Sequence, residues 1–183
     1  IGRRLQDPLS ELVKIDPASI GVGLYQHDAR AKHLRDTLDD VVQSCVSFVG
    51  VELNSASTPL LRYVSGMNQL TARRVYDNRI QHGPFRNREQ PKEVVGFGEA
   101  AFVQAAGFLK IGDGDNPLDA TWIHPESYSV AQQVLEKMEC TPADLAEKQA
   151  PAGIAERAAG LECEALAVQL EVGALLLRDI LAQ

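Results

Sequence analysis

The chain has 183 residues, 45% of them hydrophobic and 5% aromatic, and its 18 basic and 25 acidic side chains give a formal net charge of −7. This length can bury the core of one or two small domains, and the net charge argues against a polyanion as partner of the chain as a whole. No apolar run reaches the length of a membrane span and no signal peptide stands at the first residues, so we expect a cytoplasmic protein with no membrane partner.

The composition predicts an all-α fold, because alanine and leucine are frequent and runs of alternating β-branched residues are absent. The three cysteines, Cys45, Cys140 and Cys163, lie far apart, which favours thiols in a reducing compartment over disulfides or a metal site. Since the chain opens at Ile1 rather than at methionine, we expect a fragment of a longer protein.

Residues 1–28 are predicted to contain a short helix around Leu5 to Val13 and then a loop with Gly21-Val22-Gly23. The loop lacks the third glycine and the helix start of a dinucleotide site. From about Ala29 to Val49, apolar residues return at helical spacing, which predicts a long amphipathic connecting helix. Its apolar stripe consists of Leu34, Leu38, Val41, Val42, Cys45, Val46 and Val49.

Two glycine turns repeat with a spacing of 30 residues, VSGMN at residues 64–68 and VVGFG at residues 94–98. Apolar residues stand at helical spacing on both sides of each turn, and the small Ala72 permits two helices to approach closely. This pattern resembles the helix-hairpin-helix motif. One hairpin of this kind also occurs in many helical bundles, but two copies in one register favour a tandem helix-hairpin-helix domain over residues 50–111.

Five predicted helices, joined by short turns, fill residues 29–109. Residues 54–57 offer a cap for the first helix of the first hairpin, and Gly83 ends the second helix of that hairpin. Asn87 is placed to cap a third helix that runs to about Val94. Pro91 falls in the first turn of this helix, where its missing N–H is tolerated.

A tight glycine turn that opens a helix directs backbone N–H groups outward, where they can bind a phosphate. The charge distribution agrees, because residues 62–112 hold 8 basic and 4 acidic side chains, residues 1–61 hold 6 and 8, and residues 113–183 hold 4 and 13. We therefore predict nucleic acid, DNA or RNA, as a partner bound through its backbone. The predicted contact residues are Ser65, Gly66, Met67, Asn68, Gly96, Phe97 and Gly98 in the turns and Arg73, Arg74, Arg79, Arg86 and Arg88 beside them.

Two residues depart from the motif. Asn68 replaces the second glycine of the first turn, and we expect it to adopt the positive φ that asparagine tolerates. Glu99 directly follows the second turn and would repel a phosphate, although it suits the helix dipole. The arginines could also belong to an ordinary solvated helix face. We therefore expect modest and strongly salt-dependent binding.

The segment from Ile111 to Pro117 is rich in Gly and Asp, and we place a domain boundary there. Beyond it, Pro125 is well placed to begin a helix that reaches Met138, and the sequence from Thr141 to Asp144 opens another. The last helix is predicted from Ala174 to Leu181. Residues 149–173 receive no assignment.

The whole chain, and not only the hairpins, also resembles the Tex family of bacterial transcription accessory proteins. The strings that carry the resemblance are RRLQDPL at residues 3–9, ELVKIDP at 11–17, SIGVG at 19–23, YQHD at 25–28, GPFRNR at 83–88, AGFL at 106–109, GDNPLDA at 114–120 and HPE at 124–126.

The resemblance implies a protein with an RNase H-like domain, tandem helix-hairpin-helix motifs, a small helical domain and an RNA-binding barrel. By this comparison, residues 1–28 are the end of the RNase H-like domain and residues 29–49 are the connecting helix. Residues 50–111 are then the hairpin domain, and residues 118–183 are the small helical domain.

The residues nominate no catalytic site, so we expect neither enzyme activity nor a cofactor or metal. Asp7 and Asp16 alone cannot hold the metal ions of an RNase H-like nuclease. The loop at residues 113–116 has no closing glutamate, so a solvated turn is favoured over a calcium loop. The histidines, which lack ligand spacing, are His27, His33, His82 and His124.

A second hypothesis remains open beside nucleic-acid binding. The acidic C-terminal part could belong to a helical scaffold that positions flanking domains on the transcription machinery. This hypothesis predicts a protein partner and no nucleic-acid binding.

Overall fold

The computed structural model describes residues 2–19, 30–146, 157–158, 163–170 and 172–182. The chain divides into two compact units, residues 1–111 and residues 112–183. In the described residues, β-strand is confined to two segments of two residues each, and the prediction of an all-α fold is confirmed. The predicted Gly21-Val22-Gly23 loop and His27 lie outside the described residues.

The first unit is built from short helices around one apolar core. The longest helix of those described, α3 (Ala31–Val49), has 19 residues, and its C-cap is Gly50, whose φ of 73° is unfavourable for other residues. The α-helices in chain order are α1 (Gly2–Gln6), α2 (Pro8–Leu12), α3 (Ala31–Val49), α4 (Thr58–Leu61), α5 (Gln69–His82) and α6 (Glu99–Ala105). The 3₁₀ turns are Pro17–Ser19, Gln90–Glu93 and Ala106–Phe108.

A two-stranded parallel sheet joins the two ends of the hairpin region. Strand β1 (Val51–Glu52) pairs with strand β2 (Leu109–Lys110), and Val51 lies opposite Leu109. The N–H of Leu53 extends the ladder by donating to the carbonyl of Lys110 at 2.8 Å. The pairing of β1 with β2 therefore holds together the two ends of the segment that carries both turns.

Helix α2 packs on the start of the hairpin region. Asp7 caps α2 by accepting from the N–H and the hydroxyl of Ser10, at 3.0 and 2.7 Å. The hydroxyl of Ser10 accepts from the N–H of Ser57 at 3.2 Å, and the Ser57 hydroxyl donates to the Ser10 carbonyl at 3.1 Å. Residues 2–19, which the family resemblance assigns to a separate domain, thus belong to the first compact unit.

The stripe predicted on α3 is divided between core and surface. Val46 is fully buried and Val42 packs against the core, whereas Val41 and Val49 are 54% exposed. The reason is that only one side of α3 contacts the rest of the unit, so the wide apolar stripe exceeds the area that the unit covers.

The third predicted helix is a 3₁₀ turn, Gln90–Glu93, rather than an α-helix. Asn87 caps it as predicted, since its Oδ1 accepts from the N–H groups of Glu89 and Gln90 at 3.1 and 3.0 Å. Pro91 lies in the first turn, where no N–H is required, and the helix stops at Val94, whose ψ of 125° is extended.

The second unit has a separate core, formed by Leu118, Ala131, Val134, Leu166 and Leu177 among others. Pro125 begins a 3₁₀ turn that leads into α7 with Met138 as its C-cap, and the last helix has the predicted bounds, so both predictions are confirmed. The α-helices are α7 (Tyr128–Lys137), α8 (Cys163–Gln169), which falls in the segment without assignment, and α9 (Ala174–Leu181). The 3₁₀ turns are Pro117–Ala120, Pro125–Ser127 and Pro142–Ala146.

None of the helices in the described part of the chain combines the length and the apolarity that a membrane span needs.

Candidate nucleic-acid interface

The two turns have the same backbone conformation, displaced by 30 residues. Gly66 and Gly96 have φ of 78° and 88°, in the left-handed region that favours glycine. In the first turn the N–H of Met67 donates to the carbonyl of Val64 at 3.0 Å, and in the second Phe97 donates to Val94 at 2.9 Å. The sequence repeat is therefore a structural repeat.

The two residues at which the second helix of each hairpin starts also share one backbone conformation. Asn68 has φ −113° and ψ 175°, and Gly98 has φ −79° and ψ 177°. The expectation of a positive φ at Asn68 is wrong, because this residue is a helix N-cap. Its Oδ1 accepts from the N–H and hydroxyl of Thr71 at 2.9 and 3.1 Å, a bond that the glycine of the second turn cannot make.

Each turn packs against the second helix of the other hairpin. A Cβ placed on Gly66 would lie 2.5 Å from the carbonyl oxygen of Ala101 on α6, and a Cβ placed on Gly96 would lie 2.5 Å from Nη1 of Arg74 on α5. The hydroxyl oxygen of Thr71, which is equivalent to Ala101 in the repeat, lies 3.5 Å from the Gly96 carbonyl oxygen. These packing interactions are thus reciprocal, so each hairpin shapes the turn of the other.

The residues of the two turns differ in burial. Met67 and Phe97 are buried, 8% and 0% exposed, and their N–H groups donate within the turns to Val64 and Val94. Ser65 is half-buried, while Asn68 and Gly98 are exposed. A ligand at either turn would therefore meet main-chain groups and small polar side chains.

Arg73 and Arg86 are the two exposed side chains among the five predicted arginines. Arg73 pairs with Asp77 one turn further along α5 at 3.2 Å, and its side chain remains 69% exposed. Arg74 is half-buried, and its Nη1 donates to the carbonyl of Val95 at 3.0 Å. Arg74 therefore supports the second turn directly.

Arg88 is buried and Arg79 is half-buried, although both were predicted as contact residues beside the turns. Arg79 donates to the carbonyls of Leu53 and Ala56 at 2.6 and 2.9 Å, and burial lowers the pKa of its guanidinium. Arg88 is 2% exposed, and its charge adds to the burial that lowers the pKa of Lys110. Tertiary packing thus covers the Arg88 guanidinium, whereas Arg79 is half-buried and directs two of its donors to main-chain carbonyls.

Glu99 does not stand alone beside the second turn. Lys92 lies between two carboxylates, 3.2 Å from Glu99 and 2.6 Å from Glu89. The hydrogen bond to Glu89, the largest cause, and that to Glu99 raise the pKa of Lys92. The repulsion that Glu99 would exert on a phosphate is therefore reduced by an adjacent cation.

Arg62 is a basic residue near the first turn that the sequence analysis did not select. Its Nη2 donates to the hydroxyl of Tyr63 at 2.6 Å, and that hydroxyl donates to Asp39 at 2.8 Å. Burial is the main reason that the pKa of Tyr63 is raised. The 30-residue repeat is a signal that could have indicated Arg62, because another basic residue, Lys92, lies 30 residues after it.

The described residues contain no group of three histidine, cysteine, aspartate or glutamate side chains placed to hold a metal ion. In the acidic loop that begins at residue 113, Asn116 Oδ1 accepts from the N–H of Leu118 at 3.1 Å and so caps a 3₁₀ turn.

Two family models match the chain. The first, described as a helix-hairpin-helix motif, matches residues 46–110, and the second, described as an HHH domain, matches residues 116–183. Both compact units are therefore similar to helix-hairpin-helix families, including the unit that the sequence analysis treated only as a small helical domain.

Curated relatives match most of this chain. Protein YhgF of Escherichia coli is 54% identical over 135 residues, which are 74% of this chain and 18% of the relative. Protein tex of Bordetella pertussis is 53% identical over 138 residues, 75% of this chain and 17% of the relative. Transcriptional accessory protein Tex of Neisseria gonorrhoeae is 51% identical over 145 residues, 79% of this chain and 19% of the relative. The matched region is thus less than a fifth of each relative.

Proposed function

Because this chain belongs to the Tex family of transcriptional accessory proteins, we propose that its hairpin region binds nucleic acid through the sugar-phosphate backbone, without reading the base sequence. The observation that carries the proposal is the repeated turn, in which Gly66 and Gly96 share one conformation and the following helix starts at an exposed residue. Backbone contacts position a nucleic acid but carry no direct sequence information.

The chemistry of the turns suits a phosphate oxygen. The first N–H groups of a helix have no partner within the helix and attract anions. Gly98 has no side chain to occupy these donors in α6, whereas Asn68 occupies that of Thr71 in α5. The two turns therefore offer a phosphate similar geometry with different numbers of main-chain donors.

Two exposed arginines supply charge beside the turns. Arg73 lies on α5 after the first turn, and Arg86 lies on the connection between the hairpins. Cations at these positions would release counterions from a bound nucleic acid, so the affinity should fall as salt rises. Because Arg88 is buried and Arg79 is half-buried and bonded to main-chain carbonyls, the binding of this region alone is expected to be weak.

We further propose that these residues bind without catalysing a reaction and that the protein acts in the cytoplasm. Asp7 is engaged as the cap of α2. Asp16 accepts from the N–H of Ala18 at 3.0 Å and lies 3.7 Å from Arg35. The carboxylates considered for metal chemistry thus have structural partners.

A second candidate function rests on the second unit. Residues 113–183 hold 13 acidic and 4 basic side chains, and Val168 and Leu175 are 81% and 76% exposed. An acidic surface with exposed apolar side chains suits a basic protein partner in the transcription machinery better than it suits a polyanion.

Fluorescence anisotropy separates the two candidates. The whole chain would be titrated against labelled single- and double-stranded DNA and RNA at 50 and 200 mM salt, together with the double variant Arg73→Gln/Arg86→Gln. As a matched control, Lys137→Gln removes one exposed cation from α7 of the second unit. The proposal expects salt-dependent binding that the double variant weakens and the control preserves. No binding at 50 mM salt would contradict it and favour the protein-binding candidate.

A further inference from the structure

The 30-residue repeat relates one pair of basic side chains as well as the two turns. Among the eight lysines and arginines of residues 62–112, Arg62 and Lys92 alone are equivalent under this displacement, each four residues before its turn glycine. The residues equivalent to the other six are uncharged, namely Val103, Gln104, Leu109, Ala56, Thr58 and Ile80. A positive charge is therefore present in both copies of the repeat at these two positions, whereas each of the other six basic residues occurs in one copy only.

Both cations lie over a buried aromatic ring. The guanidinium carbon of Arg62 is 4.5 Å from the ring centre of Tyr63, and Nζ of Lys92 is 4.1 Å from the ring centre of Phe102. The two aromatic residues are 6% and 3% exposed, so the packed core fixes their rings. Attraction between a cation and the face of an aromatic ring favours one orientation of an otherwise flexible side chain. Each turn is thus preceded by an oriented cation.

Both cations also contact exposed carboxylates. Arg62 lies 3.9 Å from Asp39, and Lys92 contacts Glu89 and Glu99. The side chains of Arg62 and Lys92 remain 43% and 27% exposed, and the three carboxylate side chains are 55%, 58% and 71% exposed. A carboxylate and a phosphate present similar oxygen acceptors to a cation. A phosphate could therefore displace these carboxylates from the solvent side.

We propose that Arg62 and Lys92 are paired contacts to nucleic-acid phosphates, one at each turn, and that Asp39, Glu89 and Glu99 occupy the phosphate positions in the free protein. This inference rests on the proposed function and names two contact residues for it. It also gives the acidic residues beside the turns a role, since they compete with the ligand. Removal of a competing carboxylate should therefore raise the affinity for nucleic acid. The same change would leave this affinity unaltered if the surface did not contact the nucleic acid.

The test measures the affinity of the whole chain for a labelled 20-base-pair duplex by anisotropy, between 50 and 200 mM salt. The variants are Arg62→Gln and Lys92→Gln. The matched control is Arg35→Gln, because Arg35 is also exposed and paired with an aspartate but has no basic equivalent in the repeat. Removing one cation that neutralises a duplex phosphate reduces the slope of log affinity against log salt by about 0.9. The ratio of wild-type to variant affinity should consequently grow about 3.5-fold from 200 to 50 mM salt.

Three further variants separate charge from structure. Arg62→Lys and Lys92→Arg keep the charge and should keep the wild-type slope, whereas Glu99→Gln should tighten binding. If the wild type binds and the two Gln variants keep its slope, or if the charge-conserving variants lose binding equally, this inference is overturned while the role of the turns stands. If the wild type does not bind at 50 mM salt, the proposed function fails and this inference fails with it.

Discussion

Arg74 and Gly96 touch across the two hairpins, since a Cβ on Gly96 would stand 2.5 Å from Nη1 of Arg74. The same guanidinium donates to the carbonyl of Val95 at 3.0 Å. Helix α5 of the first hairpin thus holds the turn of the second. In return, the turn of the first hairpin lies against the backbone of α6 at Ala101. The two hairpins are therefore one structural unit, and changes at one turn should be felt at the other.

Replacement of the turn glycines should destabilise the protein in a defined order. Gly66→Ala and Gly96→Ala each place a Cβ at positive φ, which costs about 1–2 kcal/mol. Gly66→Ala should cost more, because its Cβ meets a fixed carbonyl, whereas the Cβ of Gly96→Ala meets the end of a flexible side chain. The free energy of unfolding from urea titration measures both.

Gly98→Ala is the matched control for these two variants. Gly98 has φ −79°, and no atom lies within 4 Å of its added Cβ, so this change should cost only the several tenths of a kcal/mol by which alanine is a poorer helix N-cap than glycine. Equal losses at all three glycines would show that neither the positive φ nor the close approach matters.

The contact between Arg74 and Gly96 predicts non-additive effects. In an Arg74→Ala background, Gly96→Ala should lose the steric part of its cost and keep the part due to φ. Gly66→Ala should cost the same in both backgrounds, because its Cβ does not meet Arg74. Contacting residues typically couple by about 0.5–3 kcal/mol, and a double-mutant cycle of unfolding free energies measures this coupling. Additive losses would contradict the contact.

Asn68 should act as a helix cap rather than as a residue at positive φ. Asn68→Ala removes the acceptor for the Thr71 N–H and should destabilise the protein by about 1 kcal/mol, whereas Asn68→Asp should retain most of the stability. Asn68→Gly should cost a few tenths of a kcal/mol. Thermal unfolding followed by circular dichroism ranks the three variants. A clear gain in stability for Asn68→Gly would argue for a strained backbone at this position.

Arg73 and Arg79 lie six residues apart on α5. Replacement of Arg79 should mainly lower the stability, whereas replacement of Arg73 should mainly weaken nucleic-acid binding. Arg79→Gln leaves the carbonyls of Leu53 and Ala56 without their charged donor, at a cost of about 1.5–3 kcal/mol. Arg73→Gln breaks one exposed ion pair and should change stability by less than about 0.5 kcal/mol while weakening nucleic-acid binding. Paired unfolding and anisotropy measurements would reveal the contrast, and a stable Arg79→Gln protein would refute the structural role of Arg79.

Local patterns in the sequence predicted the parts of this structure that depend on local chemistry. The glycine spacing identified both turns, Asn87 was recognised as a cap, and Pro125 marked the helical segment that ends at Met138. These features follow from backbone conformations and hydrogen bonds between residues close in the chain.

Features that depend on interactions between distant residues were missed. The two-residue strands are too short to carry an alternating pattern, and β1 pairs with a segment 58 residues away. The charge of Arg88 suggested a surface position, but the packing of the hairpins buries it. At Asn68, the sequence analysis expected a positive φ, but the residue has an extended backbone and caps α5. The glycine turns were therefore located from the sequence, whereas the burial of individual arginines was not.

The central claim, that both turns contact the nucleic-acid backbone, is tested most directly by following the backbone amide signals of ¹⁵N-labelled protein during titration with a short duplex. Our proposal predicts that the signals of Gly66, Asn68, Gly96 and Gly98 shift together, and that the shifts diminish when salt is raised. Shifts confined to the second unit, with these four amides unchanged, would contradict it.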